Sequence, residues 1–76
     1  MTPDETLDAC GLLCPLPVLK LRKRLKSMTI GAMITMRADD PAAVIDVPHF
    51  CAESGHDLIS ATDANGVQTY VIRKTR

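Results

Sequence analysis

The residues best suited to chemistry in this sequence are a cysteine and two prolines at alternate positions, Cys14-Pro15-Leu16-Pro17. Proline is favoured at the first position of a helix, so we predict that Cys14 is the N-cap, Pro15 the first helical residue and Pro17 the third. The helix N-terminus carries partial positive charge, and its first N–H groups, including those of Leu16 and Val18, can face an anion. We therefore expect a stabilised, nucleophilic Cys14 thiolate.

The chain has two further cysteines, Cys10 and Cys51. Three cysteines cannot all pair within one chain, which argues against a secreted disulfide scaffold. Cys51 is predicted to be a core thiol, because it lies beside Phe50 on the inner face of a helix. Free cysteines are often buried, so the sequence leaves open that Cys14 is also a packed residue whose prolines only mark a helix start.

His49 and His56 flank the second predicted helix and are the only histidines. The spacing of Cys10 and Cys14 is not the two-residue gap of common zinc knuckles. We therefore expect no metal site and no other cofactor, and we expect His56 to border the helix end.

Hydrophobic periodicity and turn signals predict the order βαβαββ after an irregular start at Met1 to Asp4. The predicted elements are a strand at 5–9, a helix at 15–28, a strand at 32–38, a helix at 41–54, and strands at 57–62 and 67–74. Gly11 ends the first strand, and Asn65-Gly66 is a strong hairpin signal. Right-handed crossovers then give a two-layer α/β sandwich: a four-stranded mixed sheet with two helices on one face. Cys14 is expected to be exposed at the first strand-to-helix turn.

Apolar residues at regular spacing predict which side of each element is buried. The predicted inward set is Leu7 and Ala9; Leu16, Val18, Leu19, Leu21, Leu25 and Met28; Ile34, Met36 and Ala38; and Val44, Val47, Phe50 and Cys51. Gly55 is predicted to end the second helix in the C′ position. Pro48 is expected to kink or split that helix.

Charged residues are segregated, although nine basic and nine acidic residues cancel. The basic face of the first helix is either a solvated face or a docking surface for acidic partners; its docking candidates are Lys20, Arg22, Lys23 and Arg24. Asp40 is predicted to be the N-cap of the second helix, with Asp39 in the same turn. Asp8 is expected to orient the loop that carries Cys14.

With 76 residues, the chain is expected to be one domain, residues 1–76. It has no run of about 18 apolar residues and no signal-peptide pattern, which favours a cytoplasmic protein with no membrane partner. Zero net charge and the lack of aromatic residues among the cations argue against direct binding of nucleic acid.

Several segments together resemble the TusA/SirA-like sulfur-carrier family, whose signature is a Leu-Asp pair, a glycine and then Cys-Pro-x-Pro. The matching segments, which span nearly the whole chain, are 7–17, 38–41, 46–48, 50–51, 55–58 and 70–74.

This resemblance implies the βαβαββ fold and a persulfide carried on Cys14, the motif cysteine. Asp8, Gly11, Pro15, Leu16 and Pro17 would support it. The donor would be a cysteine desulfurase or a rhodanese-type protein, and the sulfur would pass to an acceptor protein. Family destinations include tRNA thiolation, molybdenum-cofactor enzymes and sulfur oxidation. We expect a monomer that acts through these partners rather than as a stand-alone enzyme.

Cys10 departs from the family, in which an arginine is common at this position. The absence of this arginine should weaken electrostatic support for the Cys14 thiolate. In addition, the Cys10 thiol can attack a persulfide on Cys14. An alternative function is therefore a redox-responsive interaction module that uses a Cys10–Cys14 disulfide. The competing interpretation of Cys10 is a small apolar residue at a strand end.

Overall fold

A computed structural model describes residues 4–76. The elements are β1 (Glu5–Asp8), α1 (Leu16–Lys26), β2 (Met33–Ala38), α2 (Ala43–Ser54), β3 (Asp57–Ala64) and β4 (Val67–Arg73). The predicted order βαβαββ is confirmed. Of the predicted irregular start, Met1 to Pro3 lie outside the described residues. No helix within residues 4–76 is long and apolar enough to cross a membrane.

The four strands form one mixed sheet in the order β1-β2-β4-β3. β1 is parallel to β2, and β4 is antiparallel to both of its neighbours. The register aligns Leu7, Met36 and Tyr70 across three strands, and these buried side chains share one face. Buried residues of α1 and α2 pack with them in a single core. The predicted two-layer α/β sandwich is therefore confirmed.

The hairpin between β3 and β4 turns at Asn65 and Gly66, which have φ angles of 55° and 81°. Two consecutive positive φ angles are what a tight type I′ hairpin turn requires, so the Asn-Gly prediction is confirmed. β3 runs to Ala64, two residues further than predicted, because pairing with β4 continues up to the turn. The register shifts between Leu58 and Ser60.

Helix α1 begins one residue later than predicted. Pro15 is the N-cap and Leu16 the first helical residue, because a turn closed by the Leu16 N–H and the Leu13 carbonyl (2.8 Å) precedes the helix. The buried stripe is Pro17, Leu21 and Leu25.

The predicted burial of Leu16 and Leu19 is wrong, since each is 47% exposed. At 3.6 residues per turn, both project roughly 140–160° away from the middle of the stripe formed by Pro17, Leu21 and Leu25. They therefore face solvent on the side of α1 opposite the core.

Helix α2 differs from the prediction at its start. Ala42, not Asp40, is the N-cap, and no side chain caps the helix. Val44 is exposed, whereas Val47, Phe50 and Cys51 are buried as predicted.

Pro48 does not split α2, which is continuous from Ala43 to Ser54. The carbonyl that loses its usual N–H partner at Pro48 is that of Val44, an exposed residue, so water can solvate it. Gly55 ends the helix with φ of 80°, and its N–H donates to the Cys51 carbonyl (2.9 Å), which confirms the predicted C-terminal glycine.

The two leucines at the opposite sides of α1 provide a test of this packing. Leu21 is fully buried, so Leu21→Ala should lower the free energy of unfolding by about 2–5 kcal/mol through lost burial and a residual cavity. Leu19→Ala, the matched control on the exposed side, should change it by less than about 1 kcal/mol. Urea denaturation of both variants measures the difference. Equal losses of unfolding free energy in the two variants would show that α1 is rotated about its own axis relative to the sheet.

Candidate functional site

Cys14 is exposed in the loop between β1 and α1, directly before the N-cap Pro15. The predicted exposure at this strand-to-helix turn is therefore confirmed. The loop begins with Asp8, whose Oδ1 accepts a hydrogen bond from the Cys10 N–H at 3.0 Å, as expected for a residue that orients the loop. This bond is the main reason that the pKa of Asp8 is lowered. Gly11 follows with φ of 83°, a conformation that other residues rarely adopt.

The loop between β2 and α2 holds the Cys14 loop in place. Asp39 Oδ1 accepts a hydrogen bond from the Gly11 N–H at 2.9 Å, and Asp40 Oδ2 accepts one from the Cys14 N–H at 2.6 Å. Asp40 Oδ1 also accepts a hydrogen bond from the Ala42 N–H at 3.3 Å. Both aspartates thus position the cysteine loop, and the prediction that Asp40 is a helix N-cap is wrong. This role could have been inferred from the predicted parallel pairing of β1 and β2, because the loops that follow two neighbouring parallel strands lie at the same edge of the sheet.

Asp40 is itself fixed from the core. It is almost completely buried, and its carbonyl accepts a hydrogen bond from Gln68 Nε2 at 3.0 Å. Gln68 Oε1 in turn accepts a hydrogen bond from the Tyr70 hydroxyl at 2.8 Å. Every buried side-chain polar atom among the described residues has a partner, so this network is fully satisfied. Sequence analysis missed Gln68, which carried no local signal.

Cys14 lies in a cleft of about 310 Å³ between the two helices, called here the Cys14 cleft. Its lining residues are Cys14, Pro15, Val18 and Arg22 on the α1 side and Asp46, His49, Phe50 and Glu53 on α2. At the rim, His49 Nε2 and Glu53 Oε1 are 2.7 Å apart. The Arg22 guanidinium lies 5.8 Å from the centre of the Phe50 ring. No local pattern indicated that α2 contributes these residues.

The pKa of the Cys14 thiol is raised, which runs against the expectation of a stabilised thiolate. The causes are, in order, hydrogen bonding to the Asp46 side chain, desolvation by neighbouring groups, and the negative charges of Asp46 and Asp40. The Leu16 N–H is also committed to the Leu13 carbonyl and cannot serve as a donor to the sulfur. The negative charges near this thiol thus come from α2 and from the loop that precedes it.

The other two cysteines are less accessible, and all three are free thiols. Cys10 is partly buried, and its pKa is raised by that burial and by the hydrogen bond and charge of Asp8. Cys51 is 2% exposed, and burial raises its pKa to about 11, in agreement with its predicted place in the core. Within residues 4–76, no three histidine, cysteine, aspartate or glutamate side chains are grouped as metal ligands.

The predicted docking cations do not form one surface. Lys20, Lys23 and Arg24 line a depression beside Leu7 of β1, whereas Arg22 faces α2. Arg24 pairs with Glu5 Oε1 at 3.1 Å and donates to the Thr6 carbonyl at 3.2 Å. One part of the basic face therefore lies towards the edge strand, and another lies in the Cys14 cleft.

A second cleft, of about 410 Å³ and lined by several basic residues, adjoins the Cys14 cleft. It shares Arg22, Phe50 and Glu53 with the Cys14 cleft and adds Leu25, Lys26, Ser54, His56, Lys74 and Arg76. Lys74 Nζ is held by the carbonyls of Leu25 and Met28 at 2.6 and 2.7 Å. His56 borders the end of α2 as predicted, and its Nδ1 accepts a hydrogen bond from the Thr75 N–H at 3.2 Å. Sequence analysis missed this cleft because its cations come from both ends of the chain.

Two comparisons relate this arrangement to known proteins. The sequence model of the family described as sulfurtransferase TusA matches residues 5–74. A crystal structure of a SirA-like protein from Desulfitobacterium hafniense superposes with a TM-score of 0.80 at 24% sequence identity. That similarity covers 95% of this chain and 99% of the other, and it shows that the two proteins share a fold. Because the family match includes almost every described residue, the chain belongs to the TusA family of sulfurtransferases.

Proposed function

We propose that this protein carries sulfane sulfur as a persulfide on Cys14 and passes it from a donor protein to an acceptor protein. The observation that carries the proposal is the position of Cys14: an exposed sulfur at the head of α1 whose backbone is held by Asp40 at 2.6 Å. A relay needs a thiol that two successive partners can reach, and access limits the rate of such exchange as much as ionisation does. Cys51, in the core, cannot be reached in this way.

The proposed reaction consists of two exchanges with no net oxidation or reduction. In loading, the Cys14 thiolate attacks the outer sulfur of the donor persulfide, the donor S–S bond breaks, and its electron pair stays on the donor cysteine. In delivery, an acceptor thiolate attacks the outer sulfur of the Cys14 persulfide, and the electron pair of that bond returns to Cys14. The proton on the outer sulfur is transferred together with that sulfur, so atoms and charge balance in both steps.

The donor in this proposal is a cysteine desulfurase or a rhodanese-type protein. The acceptor serves tRNA thiolation, molybdenum-cofactor enzymes or sulfur oxidation, and the site itself does not select among these destinations. Membership of the TusA family and the partner-accessible position of Cys14 support a carrier that acts between proteins.

The disulfide module that uses Cys10 and Cys14 has less support. It needs a second reactive thiol, and Cys10 is partly buried with a pKa raised by that burial and by Asp8. The family match also points to the carrier function.

Sulfur loading tests the proposal directly. After incubation with a cysteine desulfurase and cysteine, the intact mass of the wild-type protein should increase by one sulfur atom, and dithiothreitol should remove it. Cys14→Ser should gain nothing, because it lacks the nucleophile. Cys10→Ser is the matched control and should load like the wild type. Loading of Cys14→Ser, or loss of loading in Cys10→Ser, would contradict the assignment.

The pH dependence of alkylation tests the raised pKa of Cys14. Iodoacetamide reacts with the thiolate, so a raised pKa shifts the midpoint of the rate–pH curve above that of an ordinary cysteine and slows labelling at neutral pH. Peptide-resolved mass spectrometry should show this shift for Cys14 in the folded protein, relative to the same cysteine in urea. A midpoint at or below the value in urea would show that the helix N-terminus dominates after all.

A further inference from the structure

Asp46 is a residue of the Cys14 cleft whose place there the proposed function does not explain. It lies in the first turn of α2, is partly buried, and faces the cleft together with Cys14. Asp40 reaches the same cysteine from the β2–α2 loop. Two carboxylates from outside α1 therefore lie near Cys14.

Asp46 has no ion-pair partner in the part of the chain that the structure describes. Among residues 4–76, no lysine or arginine forms an ion pair with it, and no cation contributes to the ionisation of Cys14. Arg22 shares the cleft, but its guanidinium lies against the Phe50 ring at 5.8 Å. Lys20, Lys23 and Arg24 of α1 lie on the β1 side, and Lys26 lines the neighbouring cleft. The negative charge beside the sulfur is thus left for another molecule to neutralise.

A fixed negative charge at this position penalises both exchanges at Cys14. Loading requires the cysteine to become an anion before it attacks, and delivery returns an electron pair to the same sulfur as the S–S bond breaks. The rate of such exchange falls when the leaving thiol has a high pKa. The charge also repels small anionic thiols that approach the persulfide. Asp46 therefore restrains the sulfur whenever no partner is bound.

We propose, building on the carrier function above, that Asp46 selects the partners of Cys14: exchange reaches its full rate only when a partner protein places a lysine or arginine against the Asp46 carboxylate. The added cation cancels the charge that disfavours the sulfur anion. Small thiols bring no such cation and exchange slowly.

The surface around this pair fits a partner of that kind. Exposed apolar residues stand within two positions of Cys14 or Asp46; they are Leu13, Leu16, Val44 and Ile45. Leu13 and Ile45 are 68% and 74% exposed. A partner that covers them excludes water, and an ion pair to Asp46 is stronger in that lower dielectric. The expected partner surface is a basic side chain surrounded by apolar contacts.

Asp46→Asn tests the proposal, since it removes the charge and keeps the size of the side chain. Asp63→Asn, on β3 and outside the cleft, is the matched control with the same change in net charge. At pH 7, iodoacetamide should label Cys14 faster in Asp46→Asn. If the pKa of Cys14 falls by one unit, the thiolate fraction at pH 7 rises about tenfold, but each thiolate is less nucleophilic. The alkylation rate should therefore rise roughly threefold. Asp63→Asn should match the wild type.

The second measurement compares protein and small-molecule exchange. Loaded Asp46→Asn should lose its sulfur to 2-mercaptoethanol faster than the loaded wild type, by a factor similar to that for alkylation. Loading from the cysteine desulfurase should be no faster, because in the wild type the partner has already neutralised Asp46. Circular dichroism checks that the variants fold.

Two results would overturn the proposal: alkylation of Asp46→Asn at the wild-type rate, or loading from the desulfurase accelerated as much as alkylation. Failure of the carrier function has a different signature. In that case the wild type takes up no sulfur from the desulfurase, while the alkylation rates still report whether Asp46 restrains Cys14.

Discussion

The geometry of the site depends on one hydrogen bond, from the Cys14 N–H to Asp40 Oδ2 at 2.6 Å. It joins the loops that follow two neighbouring parallel strands, so the cysteine is fixed by a residue 26 positions away. An acceptor with a negative charge makes this bond stronger than one between neutral groups. The same charge has a cost, because it lies close to the sulfur that it positions and raises its pKa.

Positioning and reactivity therefore oppose each other at this site. The carboxylates of Asp40 and Asp46 raise the pKa of Cys14, and the Leu16 N–H at the start of α1 is bonded to the Leu13 carbonyl. A group that must hold sulfur between two encounters benefits from low reactivity towards everything else in solution. In a carrier of this kind, control of the chemistry lies with the partner, and the isolated domain provides access and orientation.

Local patterns in the sequence predicted the fold well and the electrostatics of the site poorly. The order of elements follows from periodicity, and the hairpin follows from Asn65-Gly66, because both signals lie within a few residues. The bond from Asp40 to Cys14 and the approach of Asp46 depend on how distant segments pack, which no local pattern encodes. The expected thiolate rested on the dipole of α1 alone, whereas the charges that raise the pKa of Cys14 come from α2 and its preceding loop.

Strand β4, the last strand of the chain, lies inside the sheet between β2 and β3 and supplies Gln68, whose amide holds the Asp40 carbonyl at 3.0 Å. The cysteine loop near the start of the chain is thus tied to its other end. A growing chain that still lacks β4 has no anchor for Asp40 and no completed central pairing. The thiol consequently acquires the geometry described above only after β4 has joined the sheet.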